Sequence, residues 1–271
     1  MKLKVNNFNL KDTITCGQIF RYEEGLDNSY TVILSDRVIN IYQKDDYIYI
    51  DSNKLDNLEE VVINYFDLNY DYKSINNMLI TNNPELKDII NYSNGLKMIN
   101  EPKEEVIISY ILSQNNRVPQ IKKSLDNIAK EYGEEIIFNS KKYYLFPSLK
   151  KMKQASIEDF RRLKCGFRDK YLYDFIHSDF DIDKLETMSS KDALDLLMSM
   201  KGIGEKVASC ILLFGYHRFD VYPIDTWVKK YMKDEYNIDT VKDIREFSKS
   251  RYKEYSGLVI QYMFNYKRNK D

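Results

Sequence analysis

Residues 189–216 read SSKDALDLLMSMKGIGEKVASCILLFGY. Two runs of helical spacing flank the link KGIG, in which Gly202 and Gly204 bracket Ile203. Glycine permits positive φ and close approach of the backbone. The stretch therefore predicts two helices joined by a tight turn, with Ile203 tucked between them. Backbone N–H groups exposed at the start of the second helix would bind a phosphate oxygen without reading a base. A plain helix–helix turn explains the same glycines, and so short a pattern does not choose between the readings. Lys206 adds information, because the first turn of a helix carries partial positive charge and disfavours a cation. Val207, Ala208, Ile211, Phe214 and Gly215 form an apolar stripe at helical spacing. Lys206 lies beside that stripe, with Cys210 one turn further along the same edge. An amine in that position is expected to lose its proton and act as a nucleophile of the Schiff-base type. The alternative is a snorkelling or phosphate-contacting lysine.

Downstream, VYPIDTWVKKYM (221–232) places Asp225 directly before another helical run. N-capping is the commonest use of an aspartate there. A carboxylate facing the same cleft as Lys206 is the functional reading, and the two are compatible because a cap holds the carboxylate rigidly.

Outward from this core, the pattern is helical almost throughout from residue 100. Helices are predicted over 103–114, 118–132, 156–163, 168–179, 190–199, 204–216, 226–235, 241–253 and 256–267. Residues 30–34, 37–43 and 47–50 are instead β-branched and aromatic runs broken by polar pairs, which predicts an antiparallel meander. A helix over 55–66 follows, and another opens at Pro84 and closes at Asn94–Gly95. The expected architecture is α+β, with a mixed unit over 1–95 and a helical unit over 96–271.

Composition narrows the class. The 271 residues carry a net charge of −1, with 43% apolar side chains, enough for a sizeable core. Residues 1–100 hold 15 acidic and 10 basic side chains, whereas 115–170 hold 14 basic and 7 acidic. That asymmetry permits a local polyanion footprint, although a mixed solvated surface explains it too. Three scattered cysteines form neither a disulfide set nor a C-x-x-C pair, which points to a reducing, cytosolic setting. The N-terminus MKLKVNNFNLKD has no apolar core of a signal peptide. The longest near-apolar run, VASCILLFG, is too short to span a bilayer.

The glycine turn, the lysine two residues on and VYPID some twenty residues later resemble the helix–hairpin–helix base-excision DNA glycosylases. Further segments carry the resemblance along nearly the whole chain: LKDTITCGQIFRYEE (10–24), YFDLNYDY (65–72), GLKMINEP (95–102), ISYILSQNN (108–116), LKCGFRDKYL (163–172) and YSGLVIQYMFNY (255–266). These look like 8-oxoguanine DNA glycosylases, in order and at the right spacing, and a bacterial member is expected. The resemblance implies a small N-terminal domain with a twisted antiparallel sheet, a larger all-helical region and an active site in the cleft. It implies excision of 8-oxoguanine from double-stranded DNA with Schiff-base formation and β-elimination. Lys206 matches the nucleophile and Asp225 the catalytic carboxylate. Gly17 matches the glycine whose carbonyl accepts the N7–H of the oxidised base. Cys210 and Phe264 match the pair that sandwich the flipped base. Asn115 matches the residue that enters the vacated stack, Phe167 an aromatic wedge, and Arg168 a contact to the opposite strand.

Three positions depart from that pattern. Ile260 stands where a glutamine reads the Watson–Crick edge, and Gln261 is one step of about 100° away and is expected to face elsewhere. Gln120 stands where animal enzymes read the opposite cytosine with arginine. Trp227 stands where they carry histidine near the DNA. The resemblance implies no cofactor and no metal in the chemistry, with a monovalent cation accommodated at the Gly202–Gly204 backbone. It implies no membrane association, a monomer, and a cytoplasmic enzyme that works at the nucleoid. The rival readings are an alkylbase glycosylase, which acts through the aspartate alone, and a non-catalytic helix–hairpin–helix module that only holds DNA.

Overall fold

The computed structural model describes residues 1–268, so the last three residues of the expected helical region lie outside it. The N-terminal unit is a five-stranded antiparallel sheet in the order β1-β5-β4-β3-β2. Its strands are β1 (Lys2–Lys4), β2 (Tyr22–Glu24), β3 (Tyr30–Ile33), β4 (Val38–Lys44) and β5 (Tyr47–Ser52). The pairings Tyr30↔Ile41 and Ile41↔Ile50 bring the apolar residues of neighbouring strands onto one face. Helices α1 (Leu10–Thr15) and α2 (Leu58–Tyr65) cover that face with Leu10, Ile14, Leu58 and Val62. The meander expected over 30–50 is present, and short strands at residues 2–4 and 22–24 extend it at both edges.

The second unit contains α3 (Tyr72–Asn82), α4 (Lys87–Tyr92), α5 (Lys103–Ser113), α6 (Val118–Tyr132), α7 (Leu149–Met152), α8 (Ile157–Arg162), α9 (Asp169–His177), α10 (Lys184–Thr187), α11 (Ser190–Met198), α12 (Glu205–Tyr216), α13 (Thr226–Tyr236), α14 (Val241–Tyr252) and α15 (Ser256–Arg268). At its centre α5 and α12 are buried all round, from Glu105 to Leu112 and from Val207 to Phe214. A helix apolar on every side belongs in the interior. Gly215 lets the two approach, since a Cβ there would lie 3.2 Å from Val106 Cγ1.

Two expectations change. The second unit is not all helical: Glu135–Phe138 and Lys141–Tyr144 form a hairpin, β6 and β7. Its two-residue turn, Asn139–Ser140, has both φ positive, at 49° and 62°. That is the turn geometry whose twist suits a hairpin. Phe138 and Tyr143 pack on Val38, so the hairpin leans on the N-terminal sheet. The cores also divide earlier than the composition shift at 95. Tyr72, Leu79, Leu86 and Ile89 are buried in the helical core, and the sheet core ends at Phe66 apart from Ile99.

Candidate active site

One cleft runs between the two units, lined by Cys16 and Gly17 from the first and by residues of α5, α12, α13 and α15 from the second. Its upper rim is the turn that ends α1, where Gly17 has φ +87°. An L residue there is strained, and the glycine also lets Phe264 approach, its Cε1 lying 3.4 Å from where a Cβ would stand. The hydrogen bonds of this turn can be followed carbonyl by carbonyl. Thr13 O accepts from Gln18 Nε2 at 2.7 Å, Thr15 O from Arg268 Nη1 at 2.7 Å, and Cys16 O from Gln261 Nε2 at 3.0 Å. Gln18 is tied further to Lys97 O and to Ile99 N–H. Among the described residues nothing donates to the Gly17 carbonyl. Polar backbone groups of folded chains are nearly always paired, and this one lines the cleft without a protein donor among the described residues.

Gln261 is therefore not turned away, as the 100° step led one to expect. It is buried, lines the cleft beside Ile260 and holds the Gly17 turn in place. The reason is tertiary. α15 is buried on adjacent faces because Gly257 packs tightly on the Phe219–Val221 segment, where a Cβ would come within 2.7 Å of Val221 O.

Across the cleft lie Lys206, half-buried in the first turn of α12, and Asp225, half-buried before α13. Asp225 caps α13, with Oδ1 accepting from Val228 N–H at 2.8 Å. Both uses foreseen for this carboxylate thus coexist geometrically. Lys206 makes no ion pair among the described residues. Its Nζ lies 5.8 Å from the centroid of the Tyr110 ring and near the Cys210 thiol. Burial pushes the Cys210 thiol up to about 11 and the Cys16 thiol to about 12. Both stay protonated near neutral pH and are therefore poor nucleophiles. Phe264 stands with Trp227 edge-on to it, ring centroids 5.6 Å apart at 81°. Trp227 thus belongs to the wall of the cleft.

The helix–hairpin–helix matches its sequence reading. Ile203 is buried between the helices, and Gly202 has φ +83°. Ser189, Asp225 and Thr240 cap α11, α13 and α14 with side-chain oxygens, whereas the Gly204 start of α12 has no side-chain cap. Its first N–H groups are left for an outside acceptor. The two glycines differ in kind. A Cβ on Gly202 would sit 2.3 Å from Tyr171 Cγ, whereas a Cβ on Gly204 meets nothing within 4 Å. Gly202→Ala is expected to destabilise the fold by about 2–5 kcal/mol through strain and overlap. Gly204→Ala is expected to shift stability by no more than about 0.5 kcal/mol yet weaken DNA binding, because its methyl would occupy the path of a phosphate. Thermal unfolding and fluorescence anisotropy on a duplex separate the two effects. Unaltered DNA affinity in Gly204→Ala would remove the hairpin from the DNA contact.

Arg168 and Gln120, expected from the sequence to face the opposite strand, hydrogen-bond within the protein. Asn115 is exposed at φ 46°, and Phe167 is exposed on the neighbouring turn. Arg168 is buried; its Nε donates to Gln114 O at 2.8 Å and its Nη2 to Asn115 O at 2.8 Å. Instead of projecting toward an opposite strand, this guanidinium props the Asn115 turn. Gln120 Nε2 donates to Lys164 O at 3.1 Å, and Ser124 Oγ donates to the same carbonyl at 2.9 Å. Lys164 has φ +70°, so the strained turn before Phe167 is tied to α6. The basic stretch is narrower than its count suggests, since Arg161, Arg162, Lys141 and Lys142 pair with carboxylates. Arg117, Lys164 and Lys170 remain exposed around the wedge.

Sequence reading missed Tyr110, Pro223 and Val228 in the cleft wall and Arg268 above it. Tyr110 carried a usable signal: it lies five residues before Asn115, on the buried helix that leads into the Asn115 turn. Arg268 carried none, because its partner is 253 residues away.

A cleft between a small antiparallel sheet and a helical unit, with a lysine at the hairpin start and an aspartate cap facing it, defines a helix–hairpin–helix DNA glycosylase. Residues 1–107 match the family model for the 8-oxoguanine DNA glycosylase N-terminal domain. A probable N-glycosylase/DNA lyase of Methanothermobacter thermautotrophicus is 28% identical over 236 residues, covering 78% of this chain and 75% of the relative. The Clostridium acetobutylicum 8-oxoguanine glycosylase/lyase, solved with double-stranded DNA containing cytosine opposite 8-oxoG, superposes with a TM-score of 0.91 at 30% identity, covering 100% of this chain and 98% of that one. A structure described as MBOgg1 in complex with a low-affinity DNA ligand superposes with a TM-score of 0.93 at 34% identity, covering 99% and 95%. The chain belongs to the 8-oxoguanine DNA glycosylase/lyase family and is a bifunctional DNA-repair enzyme, an N-glycosylase with DNA-lyase activity. No described helix is long and apolar enough to cross a membrane.

Proposed function

We propose that this enzyme extrudes 8-oxoguanine into the cleft between Cys210 and Phe264 and releases it by attack of Lys206 on the sugar. The carrying observation is the convergence of Lys206, Asp225 and the unoccupied Gly17 carbonyl on one cleft. Extrusion costs a few kcal/mol of unstacking, offset by Asn115 and Phe167 filling the gap and by stacking on Phe264. The N7–H of the oxidised base donates to Gly17 O; guanine, whose N7 carries no proton, presents a lone pair to that oxygen and is repelled.

The Lys206 amine then donates its lone pair to C1′ as the C1′–N9 bond breaks and the electron pair leaves with the base. Positive charge grows on the sugar, and the Asp225 carboxylate stabilises it from a position already fixed by its cap. Loss of a proton from Nζ and opening of the sugar ring give the Schiff base. Removal of a C2′ proton expels the 3′ phosphate by β-elimination, and hydrolysis of the imine frees Lys206. An alkylbase reading is disfavoured because it leaves Lys206 without a task. A purely DNA-holding module is disfavoured because it leaves Gly17 and Asp225 without one. The wedge, the hairpin amides and the exposed cations Arg117, Lys164 and Lys170 would carry the duplex. The enzyme is expected to act as a monomer. Borohydride reduction in the presence of an 8-oxoguanine duplex should give a covalent protein–DNA band. A mobility shift without covalency would return the non-catalytic module.

Selection of the base opposite the lesion should be weak. A bidentate side chain contributes about 1–3 kcal/mol of discrimination. Gln120 and Arg168 both have their donors engaged by protein carbonyls. Excision from four duplexes differing only in the opposite base, under single-turnover conditions, should span no more than about tenfold. A steep cytosine preference that persists in Gln120→Ala would show that another group does the selecting.

A further inference from the structure

The first turn of α12 carries two charges of opposite sign that go different ways. Lys206 lines the cleft. Glu205, its neighbour, does not; it follows Gly204 directly, where the helix starts without a side-chain cap. A carboxylate in a first helical turn is favoured by the helix dipole. Here it also stands beside the N–H groups that would take a DNA phosphate, and two anions repel each other. The carboxylate is not left alone. Arg245 of α14, forty residues further along the chain, donates from Nη2 to Glu205 Oε1. Lys201, on the other side of the turn, is committed to Asp174 at 2.9 Å. Among the described residues no second cation pairs with Glu205.

The Arg245 and Glu205 side chains are 50% and 42% exposed, and a pair so open to solvent contributes little to folding. Its consequence lies in the charge that it removes from the path of a phosphate. We infer that Arg245 is a positioning residue for DNA: it cancels the Glu205 carboxylate, so that the open amides of α12 present a positive end to the duplex backbone. The inference rests on the proposed contact between the hairpin and DNA. Arg245 does not line the cleft, and it acts through Glu205 rather than on the lesion.

Fluorescence anisotropy on an undamaged duplex, at low and at raised salt, tests this with four variants. Arg245→Gln leaves an uncompensated carboxylate at the hairpin and should weaken binding by about tenfold or more. Arg245→Lys keeps the charge and should bind like the parent. The double variant Glu205→Gln/Arg245→Gln removes both charges and should recover most of the loss, because residues in contact act as a unit. Glu205→Gln alone should bind at least as tightly as the parent. The deficit of Arg245→Gln should shrink as salt rises, since exposed charges are screened, and its melting temperature should stay near the parent's. Parent-like affinity in Arg245→Gln overturns the inference, and the proposed function stands if borohydride trapping persists. Equal weakness of Arg245→Gln and the double variant makes Arg245 a DNA contact in its own right and overturns the neutralising role. A deficit that salt does not move shows a reshaped hairpin and overturns it as well. A parent enzyme that binds the duplex without being trapped overturns the proposed chemistry, and the affinity comparison still decides this inference.

Discussion

Lys206→Gln is expected to abolish the borohydride-trapped complex and to slow release of 8-oxoguanine by a factor on the order of 10⁴–10⁶, the cost typical of removing a nucleophile. Glutamine is close to lysine in reach and suits a helix. Lys206 makes no ion pair among the described residues that the fold would miss, so stability should hold. DNA affinity should hold as well, because the open N–H groups of α12 and the exposed cations near Phe167 are untouched. Electrophoresis after reduction, single-turnover excision and anisotropy together check it. Weakened DNA binding with normal turnover of the bound fraction would make Lys206 a phosphate contact and remove it from the chemistry.

Asp225→Asn separates catalysis from folding. Asparagine caps a helix about as well as aspartate, so the bond from Val228 N–H and the start of α13 should survive. What disappears is the negative charge facing the developing cation. Removing one preorganised electrostatic partner typically costs about 10²–10³ in rate. Excision should fall by about that factor, with the melting temperature nearly unchanged. Asp225→Ala should lose the same rate and also about 1 kcal/mol of stability with the cap. If Asp225→Asn excised at the parent rate while Asp225→Ala melted lower, the residue would be a cap and nothing more.

Much of the site could be read along the chain because its parts are local. Lys206 and Cys210 share one helix edge by spacing alone, and Asp225 announces a helix start. The turn at Gly202 needs a glycine for a reason visible in KGIG. The long-range partners were not readable in this way. Arg168 follows Phe167 in sequence and resembles a DNA contact, yet its guanidinium is turned inward by carbonyls more than fifty residues away. Gln120 likewise faces its own protein, because the strained Lys164 turn presents a carbonyl to α6. The hairpin at 135–144 was absorbed into a helical background, since only Asn139–Ser140 marked it and both are also ordinary loop residues.

By itself, the amino-acid sequence determined the α+β order, the two helices around KGIG, the place of Lys206 in the first turn of a helix and the cap at Asp225. Each of these depends on a period of 3.6 or 2 residues or on a cap, which are properties of neighbouring positions. Tertiary structure alone decided which carbonyl of the turn at residues 15–17 lacks a protein donor among the described residues. Thr15 and Cys16 are satisfied by Arg268 and Gln261 from the far end of the chain, and Gly17 is left over. It also decided that Gln261 shares the cleft with Ile260. On a helix buried on several faces, periodicity does not say which face meets which neighbour; packing of α15 through Gly257 does.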